Sequence, residues 1–294
     1  MMRRLAGFVA LLALAIAFTA CSSATITRLA YNNAALAYTN LGPMLTWTVD
    51  DYVDIDGPRE DWVRVRIDRA IAWHRAEELP RYRAFFESVL AKSDAPYRVE
   101  DIGAHQRELR VAYRRLMAQV IPDTAEFLST LDSVDVAHLE RKFEEHNRKW
   151  MRDSVRGTPE ERLQRRINRF VGHLESWVGP MEDEQRSLVA SRYRELGDLS
   201  EEIMGERRFR QTELVSKLRA RASRADLEAT VKRLWVDSDT WRRPEYAAKV
   251  RSRDAVLHAM IADLSATLSE RQRAALRKRI GRFLRDISTL TAST

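Results

Sequence analysis

The stretch that decides the fold is Leu268-Ser269-Glu270-Arg271-Gln272 and its continuation to Phe283, LSERQRAALRKRIGRF. Ser269 followed by Gln272 is a capping box, in which each side chain satisfies an orphan N–H of the first helical turn. Leu268, before the cap, can staple onto that turn. Leu276, Ile280 and Phe283 then recur at helical spacing, with Arg279 beside them. The same pattern occurs in mid-chain. Met181-Glu182-Asp183-Glu184-Gln185 is continued by Val189, Arg192, Tyr193 and Leu196. A weaker copy, Ile55-Asp56-Gly57-Pro58-Arg59, is continued by Val63, Arg66 and Ile67. In each copy an Arg lies seven residues past the Gln or Arg at the third helical position. These are helix beginnings, each cap contributing about 0.5–2 kcal/mol. Their unequal separations argue against a regular solenoid.

Working outward, helices are expected over Ala30–Leu41 and Met44–Val53, broken at Gly42-Pro43. One long helix follows from Pro58 to Lys92, kinked or broken at Pro80. Another spans Val99–Val120, with Pro122 stopping it and opening a short helix to Leu131. Further helices cover 134–155, 159–178, 181–204, 206–222, 224–235, 244–267 and 270–290. Thr158-Pro159-Glu160-Glu161 supplies a cap, a proline at the first position and acids in the first turn. No alternating strand pattern appears. Leu, Ala, Arg and Glu dominate, while 294 residues include only 10 Gly and 8 Pro, so helix is favoured and loops are short. The expectation is an all-α, extended or curved antiparallel bundle over residues 30–290, as one domain or as two packed halves (30–156 and 157–290), with a short tail at 291–294.

The first twenty residues read differently. Arg3 and Arg4, an apolar run from Leu5 to Ala17, then Phe18-Thr19-Ala20 form a secretory leader, too short for a comfortable membrane span. The next residue is Cys21, the only cysteine. A lone thiol in an oxidising compartment is best explained by acylation at a lipoprotein box. Phe18 stands where Leu is usual, which leaves a plain cut after Ala20 or an uncleaved anchor as alternatives. Several acyl chains on Cys21 would anchor firmly, and residues 21–29 would be the tether. Ser22 rather than Asp points to the outer membrane, facing the periplasm. The formal charge is +7, and only seven of the 50 basic residues are Lys. Export argues against nucleic acid as the partner of this basic chain. Anionic lipid or an acidic unfolded client fits better, with solvated Arg–acid pairs as the plainer reading.

No catalytic constellation emerges. The six histidines form no HExxH, and no Glu-x-x-His pair recurs as a di-iron bundle needs. One cysteine excludes a multi-thiolate metal centre. No nucleophile elbow, P-loop or dinucleotide fingerprint is present. No cofactor is expected and no enzyme is indicated. Trp62, Arg66, Arg69 and Trp73 share a helix face with His74 beside them, a set that would make an aromatic-basic ligand face if exposed. The alternative is a packed seam with a core histidine.

Two resemblances follow from these residues. Leu268-Ser269-Glu270-Arg271-Gln272 resembles the LTxxQ motif of the Spy-like and CpxP-like periplasmic chaperones, which implies a curved basic cradle for unfolded clients. Trp47-Thr48-Val49-Asp50-Asp51-Tyr52-Val53-Asp54-Ile55-Asp56, Ala72-Trp73-His74-Arg75, Glu78-Leu79-Pro80-Arg81-Tyr82 and Pro244-Glu245-Tyr246 are similar to an uncharacterised, domain-of-unknown-function family of proteobacterial lipoproteins. That resemblance implies a lipidated helical body and supplies no activity. Three readings follow: a lipid-anchored, non-enzymatic binder of an envelope protein or unfolded client; a structural or assembly lipoprotein with one protein partner; and an envelope hydrolase, which would need two facing carboxylates about 5–9.5 Å apart.

Overall fold

The computed structural model describes residue 38 and residues 40–292; Cys21, the expected leader and tether, and most of the expected Ala30–Leu41 helix lie outside them. The described chain is all helical with no strand. We number the helices α1 (Leu41–Val53), α2 (Gly57–Trp73), α3 (Leu79–Ala91), α4 (Val99–Ser129), α5 (Ser133–Val155), α6 (Pro159–Val178), α7 (Asp183–Glu195), α8 (Ser200–Arg219), α9 (Arg224–Trp235), α10 (Pro244–Ala266) and α11 (Glu270–Ala292). A single π-helical turn, His74–Glu78, joins α2 to α3, and a 3₁₀ turn at Ser238–Thr240 precedes α10.

Caps explain most starts. Asp132 Oδ1 accepts the N–H groups of Val134 and Asp135, and Asp135 returns the bond to the N–H of Asp132. Thr158 and Glu161 do the same for α6, and Ser223 caps α9. Four expected boundaries move. Gly42-Pro43 does not break α1 but lies in its first turn, where a missing N–H costs nothing. Pro122 does not stop α4, which continues to Ser129. Val120, Ile121, Ala125 and Leu128 are buried on both sides of it, so packing outweighs one lost backbone bond. The helix expected over 181–204 ends instead at Glu195. Gly197 takes φ +63°, which favours glycine, and Asp198 Oδ1 accepts the N–H of Ser200 to start α8. Thr291 and Ala292 belong to α11 rather than to a tail.

The apolar faces meet in three clusters. The largest joins α1, α2, α4, α5, α8 and α9, including Val49, Tyr52, Leu116, Leu139, Leu214, Leu218 and Leu227. A second joins α6, α7 and α10 through Ile167, Phe170, Val189, Leu257 and Met260. The third places Leu79 and Phe86 of α3 against Phe283, Ile287 and Leu290 of α11. The cores therefore do not divide at residue 156: α8 and α9 pack back on the helices of the first half. α10 lies along α4, and α11 lies along both α3 and α6, tying the clusters together.

Candidate functional site

The segment Trp73-His74-Arg75-Ala76-Glu77-Glu78-Leu79-Pro80-Arg81-Tyr82 builds the most unusual local structure. Pro80 has no N–H and its ring collides with the carbonyl four residues back. The chain answers by widening one turn, so that the N–H of Leu79 bonds to the carbonyl of His74, five residues away. The turn carries both His74 and Glu78 inward, at 3% and 0% exposure.

Glu78 is held as a carboxylate. Its Oε1 accepts from Arg115 Nε at 2.6 Å and from Arg81 Nη1 at 3.0 Å, and its Oε2 accepts from Arg115 Nη2 at 2.9 Å. Burial pushes its pKa up, but the Arg115 fork and Arg81 prevail and leave it below the usual carboxylate value. His74 is the opposite case. Burial lowers its pKa to about 4, against a smaller pull from Glu78. Its Nδ1 lies 3.0 Å from the Tyr38 hydroxyl, which is also 3.1 Å from the Ile71 carbonyl. A phenol has one proton; given to Ile71, it leaves the Tyr38 oxygen to accept from His74 Nδ1–H. Tyr38 stacks on His74 at 5.8 Å, and Tyr82 tilts against the same ring at 5.4 Å. Burial raises the pKa of Tyr38 to about 12 and that of Tyr82 as well. The histidine is thus neutral, the phenols protonated and the carboxylate locked, so no group is tuned for proton transfer near neutrality. The arrangement is a polar pin that fixes residue 38 to α2, α3 and α4.

The aromatic-basic set expected on α2 is split. Trp62 stacks on Phe127 at 6.1 Å, and the Arg66 guanidinium lies 4.2 Å from the Trp62 ring centre. Arg66 reaches Glu126 at 3.7 Å, and Arg69 reaches Asp123 at 2.6 Å. These residues line the α2–α4 seam with their charges neutralised. Trp73 packs against the first core and His74 sits inside the pin.

The repeated helix starts are brought together. Gln185 and Gln272 are both 3% exposed and hydrogen bond reciprocally: Gln185 Nε2 donates to Gln272 Oε1 at 3.0 Å, and Gln272 Nε2 to Gln185 Oε1 at 2.8 Å. Each amide also donates across to the other motif, Gln185 to the Thr267 carbonyl at 3.0 Å and Gln272 to the Pro180 carbonyl at 2.9 Å. Each Oε1 accepts its own cap N–H, from Glu182 and Ser269 respectively. Thr267 and Pro180 both lie two residues before their caps, so the clasp has local two-fold symmetry. The equivalent arginines differ in role. Arg192 pairs with Asp263 at 2.7 Å, whereas Arg279 lies over Trp177 at 5.8 Å.

A parallel clasp escaped the sequence reading. Arg59, at the third position of α2, forms a two-pronged pair with Asp135, at the third position of α5, at 3.2 and 3.1 Å. Thr130-Leu131-Asp132 before Asp135 matches Thr267-Leu268-Ser269 before Gln272. That shared Thr-Leu-cap pattern marks the second helix start, though not the residue it pairs with.

Residues 51–247 match a family described as a family of unknown function, DUF6279. The chain belongs to this family. No curated protein and no solved structure matches it. The matched region holds the whole π turn, Arg115 and the Arg59–Asp135 clasp; Gln272 lies beyond it. Among the described residues no cluster of His, Cys, Asp or Glu could hold a metal ion, and no helix is long and apolar enough to cross a membrane.

Proposed function

We propose that this member of DUF6279 is an envelope lipoprotein of proteobacterial type, anchored through acylated Cys21, whose helical body binds an unfolded or anionic envelope client without catalysing a reaction. The observation that carries the binding reading is a strip along α4. Val99, Arg107, Val111, Arg114 and Ala118 are exposed at helical spacing. Arg107 and Arg114 make no ion pair or hydrogen bond with the described residues, whereas Arg59, Arg66, Arg69 and Arg115 are all matched to acids. An unpaired basic strip interleaved with valines suits an acidic, partly apolar chain. The Gln185–Gln272 clasp, built from an LSxxQ start, supports the likeness to the LTxxQ chaperones.

The test is light scattering by an aggregating, unfolded model client at substoichiometric to equal ratios. The chain should suppress aggregation. Arg107→Glu/Arg114→Glu should weaken suppression several-fold, and more strongly at low salt than at high. No suppression by the wild-type chain at either salt level defeats the client-binding reading.

A further inference from the structure

Arg207 of α8 is 4% exposed, the most deeply buried arginine among the described residues. Its Nε donates to Asn147 Oδ1 of α5 at 2.7 Å. Its Nη1 and Nη2 are buried and have no partner. No carboxylate of the described residues lies within 4 Å of it. Asp51 of α1 is taken by Lys142 at 2.8 Å and His146 at 3.4 Å. Phe143 and Met204, one turn before Asn147 and Arg207 on the same faces, are buried apolar side chains.

A guanidinium out of water with two unpaired NH₂ groups is among the most costly arrangements a core can hold. The surroundings nonetheless hold it in place. Asn147 Nδ2 donates to Gln211 Oε1 at 2.7 Å, which turns Asn147 Oδ1 toward Arg207 and fixes the fork from behind. The molecule shows elsewhere what such a fork takes. Arg115 takes both oxygens of Glu78 side-on, through Nε and Nη2; at Arg207 the Nε is taken by Asn147, which leaves Nη1 and Nη2 for an end-on pair. Arg207 is also buried, and among the described residues no oxygen reaches either of its Nη groups.

We infer that Arg207 is an internal binding site for one oxyanion, a carboxylate or phosphate group, between α5 and α8, with Asn147 and Gln211 as its positioning residues. The Nη groups donate two parallel hydrogen bonds to two anion oxygens, and the anion's charge neutralises the guanidinium. The site is distinct from the α4 strip and independent of it.

The experiment is thermal unfolding of the purified full chain in sodium phosphate, sodium acetate and sodium chloride at matched ionic strength. Phosphate or acetate should raise the midpoint by about 2–4 °C at some five times its dissociation constant, relative to chloride. A rise with phosphate alone assigns a tetrahedral anion, and a rise with acetate assigns a carboxylate. Arg207→Met should abolish the rise. In chloride its midpoint should equal or exceed the wild-type value, because a methionine leaves no unpaired charge in the core. If that variant does not fold, Arg207→Lys keeps the charge but loses the fork, and its anion response should fall several-fold. Identical midpoints in all three salts, or an undiminished response in the folded variant, overturns the proposal. So does a high-resolution crystal structure grown in phosphate with only water on both Nη atoms.

Discussion

His74 shows how far a residue's chemistry depends on what surrounds it. In the sequence it stood out beside Trp73, with a packed helix histidine as the plainer reading, and it is a core residue. What the sequence could not supply were its neighbours: Tyr38 comes from 36 residues earlier and Tyr82 only approaches because the π turn re-aims α3. The consequence is a pH dependence. The folded pKa is about 4 against an ordinary 6.5, so between these values the unfolded chain holds the extra proton. Stability from the neutral, buried ring is complete above pH 6.5 and is lost as pH falls toward 4. At pH 5 the loss is about 2 kcal/mol. Urea midpoints at pH 7.5 and 5.0 should therefore differ more for wild type than for His74→Gln. His105 and His146, also lowered by burial, remain in both proteins and cancel. Equal pH dependence in the two proteins would refute this role. Glu78, held below its ordinary value, adds its own loss only at still lower pH.

At the scale of elements, helix starts were legible and helix interiors less so. The Thr158, Ser269 and Asp132 boundaries follow from local chemistry, since a cap and its partner lie three residues apart. Pro80 and Pro122 obey the same local rule yet end differently. One is absorbed by a widened turn and the other is carried within a continuous helix buried on both sides. The capping Gln residues were recognised as helix starts, but their mutual pairing joins positions 87 residues apart. That pairing gives a direct test. Gln185→Met or Gln272→Met alone leaves a buried amide and a carbonyl unpaired and should cost about 1–3 kcal/mol in chemical denaturation. The double variant should cost less than the sum, by about 1 kcal/mol, because the two side chains share one network. Strict additivity would show that the clasp contributes nothing beyond two independent caps.

At the scale of the molecule, the division of the chain is spatial rather than sequential. α8 and α9 return to α5 and α4, and Leu214, Val215, Leu218, Leu227 and Val231 complete the core begun by residues 41–143. A fragment of residues 38–156 would expose the surfaces these side chains cover, at about 1.5–3 kcal/mol for each large apolar residue. Such a fragment should be helical in far-UV circular dichroism but bind a hydrophobic dye and unfold without a sharp transition. A cooperative transition matching that of the full chain would contradict this account of the core.

The chain's amino acids by themselves determined an all-helical body and where most of its helices begin. These properties are set by bonds and spacings within a few residues. Only the tertiary structure decided that Arg66 and Arg69 are neutralised while Arg107 and Arg114 have no acid partner among the described residues. It alone paired Gln185 with Gln272 and left the two Nη groups of Arg207 buried without a partner among the described residues. Charge, burial and hydrogen bonding at those positions depend on residues tens of positions away, and no local pattern encodes which distant side chain will arrive.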